Sequence, residues 1–112
     1  LTPWEAIEVR LKAAASSDFV IVLYNPKSSR RAEGLKKALA IIAGHRAEDT
    51  PVGVVRNASR SDEEAVITTL AGVMELYDKI DMFTLLIVGN SKTFSSDNRM
   101  ITPRGYKDLQ GA

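Results

Sequence analysis

Three short polar clusters each follow an apolar run: Tyr24-Asn25-Pro26, Arg56-Asn57-Ala58 and Gly89-Asn90-Ser91. They hold most of the chemical reach in the chain. An Asn side chain offers both a donor and an acceptor, which suits a nucleobase edge or an amino-acid group. A glycine such as Gly89 lets a ligand approach the backbone closely. Basic residues gather on the same loops, among them Lys27, Arg56, Arg60, Lys92, Arg99 and Arg104. Arg recognises carboxylates through paired hydrogen bonds, so a polycarboxylate is the ligand chemistry they fit. Arg56 follows an apolar run directly and is the hardest of these to read as plain surface charge. Asn, Pro, Gly and Ser also end strands for structural reasons alone, and for any one cluster that is the commoner outcome. Three clusters together bring the two readings level.

Other chemistries are excluded by what the chain lacks. There is no Cys and only one His, His45, so neither a thiolate metal site nor a disulfide is available and no metal is expected. His45 fits a helix end, where it complements the dipole, better than a catalytic base. Phosphate-binding glycine patterns are missing; Gly89-Asn90-Ser91-Lys92-Thr93 ends in Lys-Thr without the earlier glycine spacing. The net charge of +1 gives no nucleic-acid footprint. The longest apolar runs fall far short of the ~20 residues that span a bilayer. No signal peptide is visible, and a cytoplasmic protein is expected.

The elements that must position these clusters alternate in type. A helix opens the chain, with Thr2 as its cap, Pro3 at the first helical position and Glu5 completing a capping box. Phe19–Tyr24 reads as a buried strand. A helix from about Arg30 to Ala43 follows, with Leu35, Ala38, Leu39 and Ile42 on one face and Gly44 as its stop. Val52–Arg56 and Phe83–Val88 are further buried strands. Between them, the β-branched run Val66–Thr69 favours a strand over Ala65–Thr69, followed by a helical turn or two through Tyr77. The last dozen residues read as irregular. This is an α/β pattern with helices on both faces of a sheet. If the strands run parallel, the three clusters share one edge, where ligands bind in open α/β sheets.

The order of these pieces is itself informative. Leu23-Tyr24-Asn25-Pro26-Lys27-Ser28, Thr50-Pro51-Val52-Gly53-Val54-Val55-Arg56-Asn57-Ala58, Ile67-Thr68-Thr69-Leu70, Ile87-Val88-Gly89-Asn90-Ser91 and Thr102-Pro103-Arg104-Gly105-Tyr106 occur in that sequence. Together they resemble the C-terminal half of the precorrin-3B and cobalt-precorrin-3 C17-methyltransferases, within the tetrapyrrole methylases. The resemblance spans nearly all of the chain. It implies a single domain over residues 1–112 with a mixed sheet, the smaller of two α/β domains. The N-terminal domain, which in relatives carries the Gly-rich loop and the catalytic groups, is absent from these residues. The start at Leu1 without an initiator Met fits a piece of a longer protein.

The resemblance also implies an activity. S-adenosylmethionine donates a methyl to C17 of a precorrin-3B or cobalt-precorrin-3 macrocycle, with ring contraction, in cobalamin biosynthesis. Implied cofactor contacts are Tyr24, Asn25, Pro26, Asn57, Ala58, Gly89 and Asn90, and relatives often have Met where this chain has Asn25. Arg56 and Arg104 are candidates for holding the carboxylates of the macrocycle. A homodimer is implied, whereas nucleic acid and membrane are not expected as partners. The competing reading is a non-catalytic, Rossmann-like binding or assembly module, which fold alone does not exclude.

Overall fold

The computed structural model describes residues 3–24 and 34–104. Helix α1 spans Trp4–Ser16 and helix α2 spans Gly34–Ala43. Four strands form one sheet: β1 (Ile21–Tyr24), β2 (Pro51–Arg56), β3 (Glu64–Thr69) and β4 (Thr84–Val88). A 3-10 helix over Val73–Lys79 leads from β3 to β4. The strand and helical turns expected for 65–77 are therefore both present. Strands β5 (Phe94–Ser96) and β6 (Arg99–Ile101) form a separate hairpin.

The sheet order is β1-β4-β2-β3, and every neighbouring pair is antiparallel. This corrects the mixed sheet expected from the sequence, and two connections explain it. Only residues 57–63 separate β2 from β3, whereas a parallel crossover needs about a dozen residues or more. Strands β1 and β2, joined through α2, do run the same way. Strand β4 then enters between them in the opposite direction.

Pairing places Ile21, Leu23, Val52, Val54, Leu86 and Val88 on one face of the sheet. All of these except half-buried Leu23 are buried, in one cluster with Leu11 and Ala15 of α1 and Leu35, Ala38, Leu39 and Ile42 of α2. Val73 of the 3-10 helix joins the same cluster. Helices on both faces are thus a second correction: among the described residues, every helix packs on this one face. The other face meets the hairpin. A Cβ added at Gly53 would lie 3.1 Å from Met100 Sδ, so β6 crosses there at close range. Beyond the hairpin, Val22 and Tyr24 remain exposed.

Local details follow the residue types with two exceptions. Pro3 is the N-cap of α1, with extended φ −61° and ψ 149°, and not its first helical residue. Thr2, the expected cap, lies outside the described residues. Gly44 stops α2 as expected, its N–H directed at the carbonyls of Ala40 and Ile41. The second exception is the β5–β6 hairpin. Its turn residues Asp97 and Asn98 have φ of 51° and 60°, the left-handed pair that a two-residue hairpin turn requires.

Candidate functional site

The antiparallel sheet divides the three polar clusters between two edges. The carboxyl ends of β1 and β2 meet the amino end of β4, where Tyr24 pairs with Leu85 and Arg56 with Thr84. Gly89 lies four residues beyond Leu85, about 14 Å away at a strand rise of ~3.4 Å per residue. The single wall expected from the sequence therefore does not form. Tyr24, Asn57 and Ala58 come together; Gly89 and Asn90 belong to the opposite edge. Asn25 and Pro26 lie outside the described residues.

At the first edge, Tyr24, Asn57, Ala58, Arg60, Met82, Phe83, Thr84 and Leu85 line a concavity of about 250 Å³. Its floor is largely apolar. Two stitched loops build it. Asn57 adopts a left-handed φ of 53°, which Asn tolerates better than most residues, and Ser59 does so at 67°. The Asn57 N–H donates to the Phe83 carbonyl at 3.1 Å, tying the loop after β2 to the turn before β4. The Asn57 side-chain amide donates to Asp62 at 3.1 Å, and the Ser59 N–H donates to Glu63 at 2.7 Å. The facing turn is held by Asp81, whose Oδ1 accepts from the Phe83 N–H at 2.8 Å and from the Thr84 hydroxyl at 3.0 Å. Both loops are thus fixed by local hydrogen bonds before any ligand arrives.

At the opposite edge Gly89 and the Asn90 side-chain oxygen are engaged by the chain's own turn. A Cβ on Gly89 would fall 2.6 Å from Thr93 Cβ, so the close approach of Thr93 is what requires glycine here. Asn90 Oδ1 accepts from the Lys92 N–H at 2.9 Å and the Thr93 hydroxyl at 3.2 Å. The following residue, Ser91, donates through its N–H and its hydroxyl to Asp18, at 2.8 and 2.5 Å. These bonds, the hydroxyl first, hold the Asp18 carboxyl below its ordinary pKa. Arg46 closes this edge, donating to the carbonyls of Gly89 at 2.6 Å, Ala14 at 3.2 Å and Phe19. Burial lowers the pKa of its guanidinium, and Asp18 opposes that shift. Arg46 stands just past the end of α2, beside His45, and its reach to three distant carbonyls left no sequence signal.

The basic residues sort differently from expectation. Arg56 lies on the helix-covered side of the sheet, 3.5 Å from Glu64 and 3.8 Å from Asp81, and does not line the concavity. Arg104 lies two residues past Thr102, whose hydroxyl is 2.7 Å from that of Thr93 at the Gly89 edge. Among the described residues the cation that lines the notch beside Tyr24 and Asn57 is Arg60, which the sequence named only as one of a group. Among the described residues no group of His, Cys, Asp and Glu could hold a metal ion. No helix there is long and apolar enough to cross a membrane.

The structure is an antiparallel α/β domain with a notch at one end of its central strands, and comparison with known proteins supplies its family. The chain belongs to the tetrapyrrole (corrin/porphyrin) methylases, whose family model matches residues 1–73. These enzymes use S-adenosylmethionine as the methyl donor. The chain is 50% identical over 107 residues to the cobalt-factor III methyltransferase of Priestia megaterium, covering 96% of this chain and 19% of that protein. It is 49% identical over 106 residues to the probable cobalt-factor III C(17)-methyltransferase of Salmonella typhimurium, covering 95% of this chain and 43% of that one. The crystal structure of the methyltransferase CobJ matches with a TM-score of 0.83 at 26% identity, over 91% of this chain and 42% of that one. The chain therefore spans less than half the length of each of these proteins.

Proposed function

We propose that this chain is the C-terminal domain of a cobalt-factor III C17-methyltransferase and supplies one wall of its S-adenosylmethionine cleft. The observation that carries the reading is identity of about half, over nearly the whole chain, to a cobalt-factor III methyltransferase and a probable cobalt-factor III C(17)-methyltransferase. Those names favour the cobalt-bearing acceptor over precorrin-3B. Family membership weighs against a non-catalytic module. In this reading a separate N-terminal domain, accommodated in the length that these relatives have beyond the matched part, supplies the second wall and the groups for ring contraction. The enzyme would act in the cytoplasm.

The notch at the Tyr24 edge fits such a shared site. Its volume of about 250 Å³ lies below the ~300–1,000 Å³ of complete ligand pockets, as expected of half a cleft. Tyr24, Met82, Phe83 and Leu85 offer apolar surface for a flat ring. Asn57 donates its amide hydrogen to Asp62 and keeps its carbonyl oxygen to accept from an exocyclic amine. Methyl transfer from a sulfonium needs the acceptor carbon held in line with the breaking S–C bond. The domain's contribution is that register, through loops fixed in advance.

Calorimetry with S-adenosylmethionine tests the shared cleft. Clear binding to the full-length protein and weak or no binding to the 112-residue chain is expected. Tight binding to the chain alone would contradict a two-walled site. Failure of the full-length protein to methylate cobalt-factor III would remove the assigned activity.

A further inference from the structure

The loop after β2 carries one cation, Arg60, followed by two acids that sequence proximity makes its natural partners. Neither takes it. Asp62 accepts from the Asn57 amide, and Glu63 accepts from the Ser59 N–H. Glu64 is 3.5 Å from Arg56, which also has Asp81 at 3.8 Å. The carboxylates around the loop are thereby committed to the Asn57 amide, to the backbone or to Arg56. No ion pair or side-chain hydrogen bond of Arg60 occurs among the described residues, and the residue is exposed at the wall of the Tyr24–Asn57 notch.

Its backbone is nonetheless held. The Arg60 N–H donates to the Asn57 carbonyl at 3.0 Å, and its own carbonyl accepts from the Glu63 N–H at 3.1 Å. An unpaired guanidinium on a fixed loop, beside an apolar floor, is suited to a ligand that is flat, apolar in its face and acidic at its rim. An Arg offers a planar fork of donors matched to a carboxylate.

We propose that Arg60 is the carboxylate-binding residue of this notch and a determinant of its ligand specificity, a role that rests on the methyltransferase reading given above. Two carboxylate sources meet that chemistry: the methionine portion of S-adenosylmethionine and the acid side chains of the tetrapyrrole acceptor. The acceptor presents its acids around the edge of a disc and the donor presents one, so variants of Arg60 separate them.

The test uses the full-length protein with Arg60→Gln and Arg60→Lys, read in three ways. The KM for cobalt-factor III is measured, with calorimetry of S-adenosylhomocysteine and of 5′-methylthioadenosine, which lacks the carboxylate. Loss of a charged hydrogen-bond pair is expected to weaken one ligand about tenfold or more. If the acceptor supplies the acid, Arg60→Gln raises KM and leaves both nucleoside affinities alone. If the donor supplies it, S-adenosylhomocysteine weakens and 5′-methylthioadenosine does not. In either case Arg60→Lys recovers part of the loss. Changes below about twofold in all three readouts, or equal weakening of both nucleosides, overturn the assignment while the methyltransferase reading stands. A wild-type protein that neither binds S-adenosylhomocysteine nor methylates the acceptor fails at the earlier step and takes both with it.

Discussion

Arg46 donates from Nη1 to the carbonyl of Gly89 at 2.6 Å, across 43 positions of sequence. The same guanidinium holds the carbonyls of Ala14 and Phe19. One side chain thus fastens the end of β4 to the end of α1 and to the segment entering β1. Arg46→Met keeps much of the stem and removes the donors. It is expected to destabilise the domain by about 2 kcal/mol, since hydrogen bonds to charged groups contribute ~1.5–3 kcal/mol each and this one is part-exposed. Urea denaturation measures it; a loss below about 0.5 kcal/mol, the range of ordinary surface changes, would sink the clamp.

Gly89 and Gly53 both face close neighbours, but only one neighbour can yield. A Cβ at Gly89 meets Thr93 Cβ, Cγ2 and Oγ1 at 2.6, 2.7 and 2.8 Å. A Cβ at Gly53 meets Met100 Sδ at 3.1 Å, the flexible end of a side chain. Gly89→Ala is therefore expected to cost about 1–3 kcal/mol, as overpacking does, and Gly53→Ala clearly less. Thermal melts of the two variants decide this. Equal losses would show that the Thr93 contact is not what requires glycine.

Much of the fold was legible because burial dominates it. Leu35, Ala38, Leu39 and Ile42 were assigned to one helical face and all four are buried. The strand and helical turns between 64 and 79 were separated by the β-branched run alone. Strand direction was not legible, because the pattern of a buried strand is the same whichever way it runs. That one unknown misplaced Gly89 and Asn90 relative to Tyr24 and Asn57. The hairpin carried a signal that went unread, the Asp97-Asn98 pair. Arg56 and Arg60 could not be ranked from sequence, since which acid each arginine meets depends on how the loop between them folds.

Asp18 gives the domain a pH dependence of defined sign. Its folded pKa is lowered from the ordinary 3.8, chiefly by the Ser91 hydroxyl and then by the Ser91 N–H. A depressed carboxylate adds stability above its unfolded pKa, and that stability is lost as pH falls through the folded value. Asp18→Asn keeps a residue that tolerates the left-handed φ of 61° and removes the charge. The wild type is expected to be the more stable of the two at neutral pH, with the difference shrinking as pH drops below about 4. Parallel stability curves from pH 7 to pH 2 would rule out the Asp18–Ser91 contribution.

Asn57 combines a backbone role with a proposed ligand role, and two substitutions separate them. Asn57→Gly preserves access to φ 53° and removes the amide. In the full-length protein it is expected to weaken S-adenosylmethionine about tenfold with little change in melting temperature. Asn57→Ala should weaken binding similarly and also cost about 1 kcal/mol of stability from the left-handed backbone. Unchanged affinity in Asn57→Gly would remove the side chain from the cofactor site.

Strand β4 ends differently at its two extremities, and that difference bears on how the protein can change over time. At the Gly89 end, the turn, Asp18 and Arg46 interlock, so a replacement there disturbs several partners at once. At the Phe83 end, the side chains of Tyr24, Arg60, Met82 and Phe83 project from the end of β1 and from two loops whose own bonds are made by the backbone and by Asp62, Glu63 and Asp81. Those four positions are open to exchange without undoing the fastening across the sheet. What the rim at Phe83 touches can therefore drift while heritable foldability is guarded at the other end.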